Sequence, residues 1–156
     1  MLRTVGGLGV DVHYVPGNHD RADLGFSGNI DGRTITIGEL SVGGIGGAGP
    51  DRMGFSYEWD EEDIRQRERM DVDVLVSHCP PLSSDFDRIP SGDHVGSQAV
   101  REQVEQVQGV AVFGHIHESF GVGTIAECLC MNLGGMGPPM AHPRAGWVYG
   151  TDAVVL

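Results

Sequence analysis

An α/β domain is the fold class this sequence predicts, on three observations. Short apolar, strand-like runs recur along the chain, two segments between them carry helix caps, and 156 residues that are 40% hydrophobic suffice for one core. The runs are Val10–Val15, Thr34–Ile37, Val72–Ser77, Val110–Phe113, Thr124–Asn132 and Trp147–Leu156. Asp60 predicts the cap of a first helix through Met70, with Glu61, Glu62 and Asp63 in its first turn and Arg65, Arg67 and Arg69 later, matching the helix dipole. Ser97 predicts the cap of a second, whose Val100, Val104 and Val107 form an apolar stripe before Gly109 stops it. Strands and helices alternate with no repeat, low-complexity tract or linker. The expectation is one domain over residues 1–156, built as two packed sheets with helices outside.

Composition excludes several classes. No run approaches the ~20 apolar residues of a membrane span, and Met1–Thr4 lack the apolar core of a signal peptide. Cys79, Cys128 and Cys130 are too few for a disulfide framework, so the default location is the cytoplasm. The net charge is −12, and all 10 bases are Arg. Such a surface repels polyanions and argues against nonspecific nucleic-acid binding. An acidic, lysine-free chain also matches the composition of salt-adapted archaea, where high salt screens self-repulsion.

Three segments carry the chemistry. In Gly17-Asn18-His19-Asp20, Gly17 lets the backbone turn sharply after Pro16, so that Asn18 and His19 project from the end of the preceding run. Ser77-His78-Cys79-Pro80-Pro81 places His78 at the tip of a buried-strand run. Gly114-His115-Ile116-His117 puts two imidazoles two residues apart, on one side of an extended backbone. Functional groups of α/β sheets gather at strand carboxyl ends, where all three segments are expected. An Asn oxygen beside imidazoles is a donor set for a divalent metal, although it lacks a neutralising carboxylate.

In this order, the segments resemble the GNHD, lone-His and GHxH motifs of the calcineurin-like metallophosphoesterases. Gly43–Gly47, His94–Ser97 and Gly114–Ser119 further resemble small archaeal members related to cyclic-nucleotide phosphodiesterases. The resemblance implies Asn18, His78 and His115 as ligands of one metal and His117 as a ligand of a second. It implies His19 as the acid beside the phosphate, with Asp20 orienting its ring. Two divalent ions are implied, Mn before Fe, Zn, Co or Ni, together with hydrolysis of a small phosphomono- or diester by metal-activated hydroxide.

The family also carries an Asp-x-His and a Gly-Asp upstream. Met1–Gly9 holds neither acid nor His, and Asp11-x-His13 lies in the run leading directly into Gly17. The expectation is therefore a metallophosphoesterase-like sandwich lacking its first βαβ-like unit, weak or inactive alone, with an exposed sheet edge for self-association or a separate N-terminal half. A noncatalytic scaffold or half-domain that binds another chain is the alternative. Gly44–Gly49 matches GxGxxG, but Pro50 follows where a dinucleotide-binding helix should open, so tight turns are expected there. Asp85, Asp87 and Arg88 read as a solvated loop by default, or as a loop after His78 that shapes substrate entry; His94 reads as a capping or solvent-exposed residue before it reads as a substrate contact, and His142 as a surface residue.

Overall fold

The computed structural model describes residues 7, 9–50, 52–135, 145–149 and 152–155, with backbone alone for 147–149 and 152–155. The expectations for Met1–Gly9, apart from Gly7 and Gly9, and for His142 fall outside these residues. The elements are β1 (Thr34–Ile37), β2 (Leu40–Ile45), α1 (Glu61–Arg65), β3 (Val74–Ser77), α2 (Gln98–Val104), β4 (Val110–Phe113), a 3₁₀ turn (His117–Ser119), β5 (Gly121–Ile125), β6 (Cys128–Asn132), β7 (Gly146–Tyr149) and β8 (Asp152–Val155). A six-stranded sheet runs β1-β2-β3-β4-β6-β5, and β7-β8 form a two-stranded sheet. The α/β class holds.

The four central strands β2, β3, β4 and β6 are mutually parallel, while β1 and β5 close the edges antiparallel. Register divides the side chains cleanly between two faces. Gly43, Leu75, Ala111 and Cys130 lie in one row, and Leu75, Ala111 and Cys130 join Ile64, Val100 and Val104 of the helices in the main core. Val42 and Val74 occupy the next row, on the opposite face, and pack with Ile30 and half-buried Val15 and Ile35.

Five elements depart from expectation, among them the Trp147–Leu156 run, which divides into the antiparallel pair β7 and β8. Val10–Val15 is not a ladder strand; it joins the fold through the bridge of Tyr14 to Asn29 and the packing of Val15 on the Ile30 cluster. The Thr124–Asn132 run is a hairpin, broken where Ala126 takes φ 51° between β5 and β6. The first helix ends at Arg65, and Arg67 turns inward to donate to Asp31 at 2.7 Å and to the Tyr57 hydroxyl at 3.1 Å. The unforeseen strand β2 contains Gly43 and Gly44, a composition poor in strand formers. Gly44 is needed because a Cβ there would collide with the Ile30 carbonyl. Ser97 does cap α2, accepting Val100 N–H at 3.1 Å. Glu61 of α1 reaches the same end, accepting Gln98 N–H at 2.9 Å and Ala99 N–H at 2.7 Å, which clasps the two helices together.

Candidate metal centre

The parallel strands converge their carboxyl ends, and β2, β3 and β4 run there into Gly46, His78 and Gly114. The GNHD turn is tied to this rim from outside the sheet. Pro16 accepts Gly47 N–H at 2.9 Å, Asp20 N–H donates to Gly17 at 3.1 Å, and the Asp20 carboxylate accepts Gly17 N–H at 2.9 Å. Asn18 is thereby buried to 3% exposure, with its carbonyl accepting Tyr57 N–H at 3.0 Å. His78 N–H donates to Ile45 at 2.9 Å, and its carbonyl accepts Gly114 N–H at 3.2 Å, so one residue ties three strand tips. A Cβ on Gly17 would lie 2.9 Å from the His78 ring, which explains the glycine before Asn18.

The His115-x-His117 backbone is not extended. His115 is left-handed, φ 62°, in a tight turn where Ile116 N–H donates to Gly114 at 2.7 Å. A non-glycine residue held there carries strain of about 1–3 kcal/mol, a pattern that clusters at functional sites. His117 opens the 3₁₀ turn, exposed, and lies so close to Gly135 that a Cβ there would strike its ring.

The separations fit donors that share one divalent ion. His78 Nε2 lies 3.1 Å from Asn18 Oδ1. Two donors each about 2.1 Å from an ion are about 3.0–3.4 Å apart at octahedral to tetrahedral angles. The His78 and His115 ring centroids are 5.1 Å apart, against about 5.2 Å for two imidazoles set tetrahedrally on one ion. Without an ion, the 3.1 Å contact is a hydrogen bond from the Nε2-protonated tautomer of His78 to Asn18.

Electrostatics favour the ligating form. Burial holds His78 down at about 3, with His115, His117 and His19 adding repulsion. Burial likewise holds His115 at about 4, with repulsion from His117 and His19 outweighing an opposing effect of Glu58. Both imidazoles are therefore neutral near pH 7, with a lone pair free for a metal.

A carboxylate is what the described cluster lacks. Among the described residues, no three of His, Cys, Asp or Glu come together as a metal-holding group. Glu58 lines the cleft, yet its carboxylate accepts the Met53, Gly54 and Phe55 N–H groups at 2.8, 2.9 and 3.1 Å. His19 is exposed, with its ring centroid 4.1 Å from that of Phe55. The contact made by Asp20 is to Gly17 N–H rather than to the His19 ring. Asn18, His19, His78, His115 and His117 together line one cleft of about 460 Å3.

The calcineurin-like phosphoesterase profile matches residues 2–119, a span that contains every one of these donors. The chain belongs to the calcineurin-like phosphoesterases. An uncharacterized protein of Methanocaldococcus jannaschii is 29% identical over 164 residues, covering 94% of this chain and 72% of that protein. A crystal structure shares the fold, with a TM-score of 0.65 at 20% identity, over 85% of this chain and 60% of the solved one. The chain thus spans less than two thirds of that structure's length.

Two residues that line the cleft, Phe55 and Glu58, were not foreseen from sequence. Asp87 is wholly buried rather than in a solvated loop, and its carboxylate accepts Ser83, Ser84 and Gly96 N–H groups at 3.0, 2.9 and 3.0 Å. The His94 Nδ1 lies 2.7 Å from the same carboxylate, so His94 is exposed, as expected, yet anchored to Asp87. Of the GxGxxG glycines, Gly44 lies in β2, Gly47 takes the positive φ of a tight turn at 72°, and a Cβ on Gly47 or Gly49 would meet Trp59.

The depressed histidines predict acid sensitivity of the metal-free protein. Between pH 7 and 5 the unfolded chain takes up protons at ordinary histidine values near 6.5, while His78 and His115 stay neutral in the fold. Unfolding therefore binds protons, and stability falls as pH drops through this window. Urea midpoints at pH 7, 6 and 5 should fall steadily, with a shallower slope in His78→Gln. Equal slopes for both proteins would refute the assignment.

Proposed function

We propose that this protein is a metal-dependent phosphoesterase acting on a small phosphomono- or diester. Asn18, His78 and His115 would hold one divalent ion, and His117 would contribute to a neighbouring one. The supporting observation is the convergence of the Asn18 oxygen and two neutral imidazoles at ligand-sharing separations on the strand tips. When bound, divalent ions neutralise phosphate charge and lower the pKa of water. Nitrogen and neutral oxygen donors suit Mn, Fe, Zn, Co or Ni, and the family resemblance favours Mn. His19, exposed beside Asn18 at the mouth of the cleft, would give a proton to the leaving oxygen. A reducing cytoplasm suits the three free, buried cysteines.

The lack of a carboxylate among the described donors favours a second reading, a noncatalytic scaffold of the same fold. One experiment separates them. The chelated protein is reloaded with Mn, bound ions are counted by mass spectrometry, and hydrolysis of bis-p-nitrophenyl phosphate is followed. The phosphoesterase reading expects fewer than two ions per chain and slow turnover that chelator abolishes. No Mn uptake, or hydrolysis indifferent to chelator, would sink it.

A further inference from the structure

The wall facing the donors has a chemistry of its own. Met53 is 77% exposed, Phe55 rests against His19, and Ile89, Val95 and buried Ile116 continue the surface. Among the described residues lining the cleft there is no Arg or Lys. The guanidiniums next to this wall in sequence are already engaged. Arg52 pairs with Asp60 at 3.0 Å and with Asp63 at 3.5 Å, while Arg88 lies 3.2 Å from His94 Nε2.

This wall is braced from behind. The Glu58 carboxylate pins the Met53-Gly54-Phe55 backbone, with the three N–H groups, Met53 first, holding that carboxyl below its usual range. Asp87 pins the segment that carries Ile89 and Val95. An exposed methionine and a phenylalanine fixed at the mouth of a polar site leave apolar surface in water, which a ligand would cover.

We propose that the cleft takes a phosphate ester whose leaving group is apolar and uncharged, seated on Met53, Phe55, Ile89, Val95 and Ile116. This rests on the phosphoesterase reading of the same site. Among the described residues of this wall, a sugar or nucleobase would find no free hydrogen-bonding side chain and a polyphosphate would find no cation. In the reaction, a water oxygen forms a bond to phosphorus and the phosphorus–oxygen bond to the leaving group breaks. A proton ends on the departing oxygen, giving an alcohol or phenol and a phosphate with one ester fewer.

The test compares diphenyl phosphate with dimethyl phosphate, both monoanionic diesters that differ only in apolar bulk. Binding to the metal-free protein is followed by calorimetry and by ligand NMR. Diphenyl phosphate should bind about tenfold tighter, the scale of burying one aromatic group. Phe55→Ala should bring the ratio toward one, and Met53→Ser, at an exposed position that does not risk the fold, should lower it as well. Equal affinities, no detectable binding of diphenyl phosphate at millimolar concentration, or a ratio unchanged in both variants would overturn the proposal. Failure of the phosphoesterase reading would appear separately, as absent Mn uptake, because no metal enters this ratio.

Discussion

His78→Ala should lower affinity for Mn by about 100-fold or more while leaving the metal-free fold intact. Loss of an outer partner of a metal ligand already costs about 10–100-fold, and His78 is proposed as a ligand itself. It is also the middle donor, 3.1 Å from Asn18 Oδ1 and 5.1 Å in ring separation from His115, so its removal leaves the other two without a shared centre. Thermal melts read the effect directly. Metal at about 100 times Kd stabilises a fold by about 2.7 kcal/mol, and the same metal at about one Kd by about 0.4 kcal/mol. The wild-type melting point should thus rise clearly with Mn, and that of the variant hardly at all. The metal-free variant should remain folded at pH 7 but melt below the metal-free wild type, since a largely buried imidazole and its contact with buried Asn18 are lost, so the Mn-dependent rise is read against each protein's own metal-free melt. An equal Mn-dependent rise in both proteins would remove His78 from the ligand set.

The parts of this molecule that were legible in sequence are those governed by short-range chemistry. Ser97 and the Val100–Val104 stripe specify α2 from within a few residues, and Val74–Ser77 is apolar enough to be a buried parallel strand anywhere. Asn18, His78 and His115 were legible because each follows a recognisable run and needs adjacent glycine or proline to turn. What escaped depends on partners far along the chain. β2 needs its paired glycines because Ile30 and Met70 approach its backbone closely, and it is a strand through its pairing with β1 and β3, which no window around Gly43 reveals. The Val10–Val15 run looks like a strand, yet it is held by the bridge of Tyr14 to Asn29 and the packing of Val15 rather than by a ladder. Glu58 and Asp87 look like two acids among 22, and their burden of backbone N–H groups appears only when the loops close on them.

Asp87→Ala should destabilise the protein by about 2–4 kcal/mol and loosen one wall of the cleft, a large fraction of the roughly 5–15 kcal/mol that holds a domain folded. Its carboxylate satisfies three backbone N–H groups and faces His94 Nδ1 at 2.7 Å with no exposure of its own. An orphaned buried donor costs about 1–3 kcal/mol, and the donors here are unequal. Ser83 is exposed and Ser84 half-buried, so water can replace the carboxylate at those two, whereas Gly96 is buried and cannot be reached without opening the loop. A Cβ on Gly96 would meet the Pro80 and Leu82 backbone, which shows how little room that opening has. Asp87→Asn keeps one acceptor oxygen and should cost about half as much, separating lost hydrogen bonds from lost volume. Urea midpoints give the stability, and methyl spectra of Ile89 and Val95 report whether the cleft wall moves with it. The damage should stay local in the folded fraction, since His78 and Asn18 are held by Ile45, Gly114 and Tyr57 and not by this loop. A loss below about 1 kcal/mol, within the range of an ordinary surface change, would mean that the carboxylate does not carry the loop.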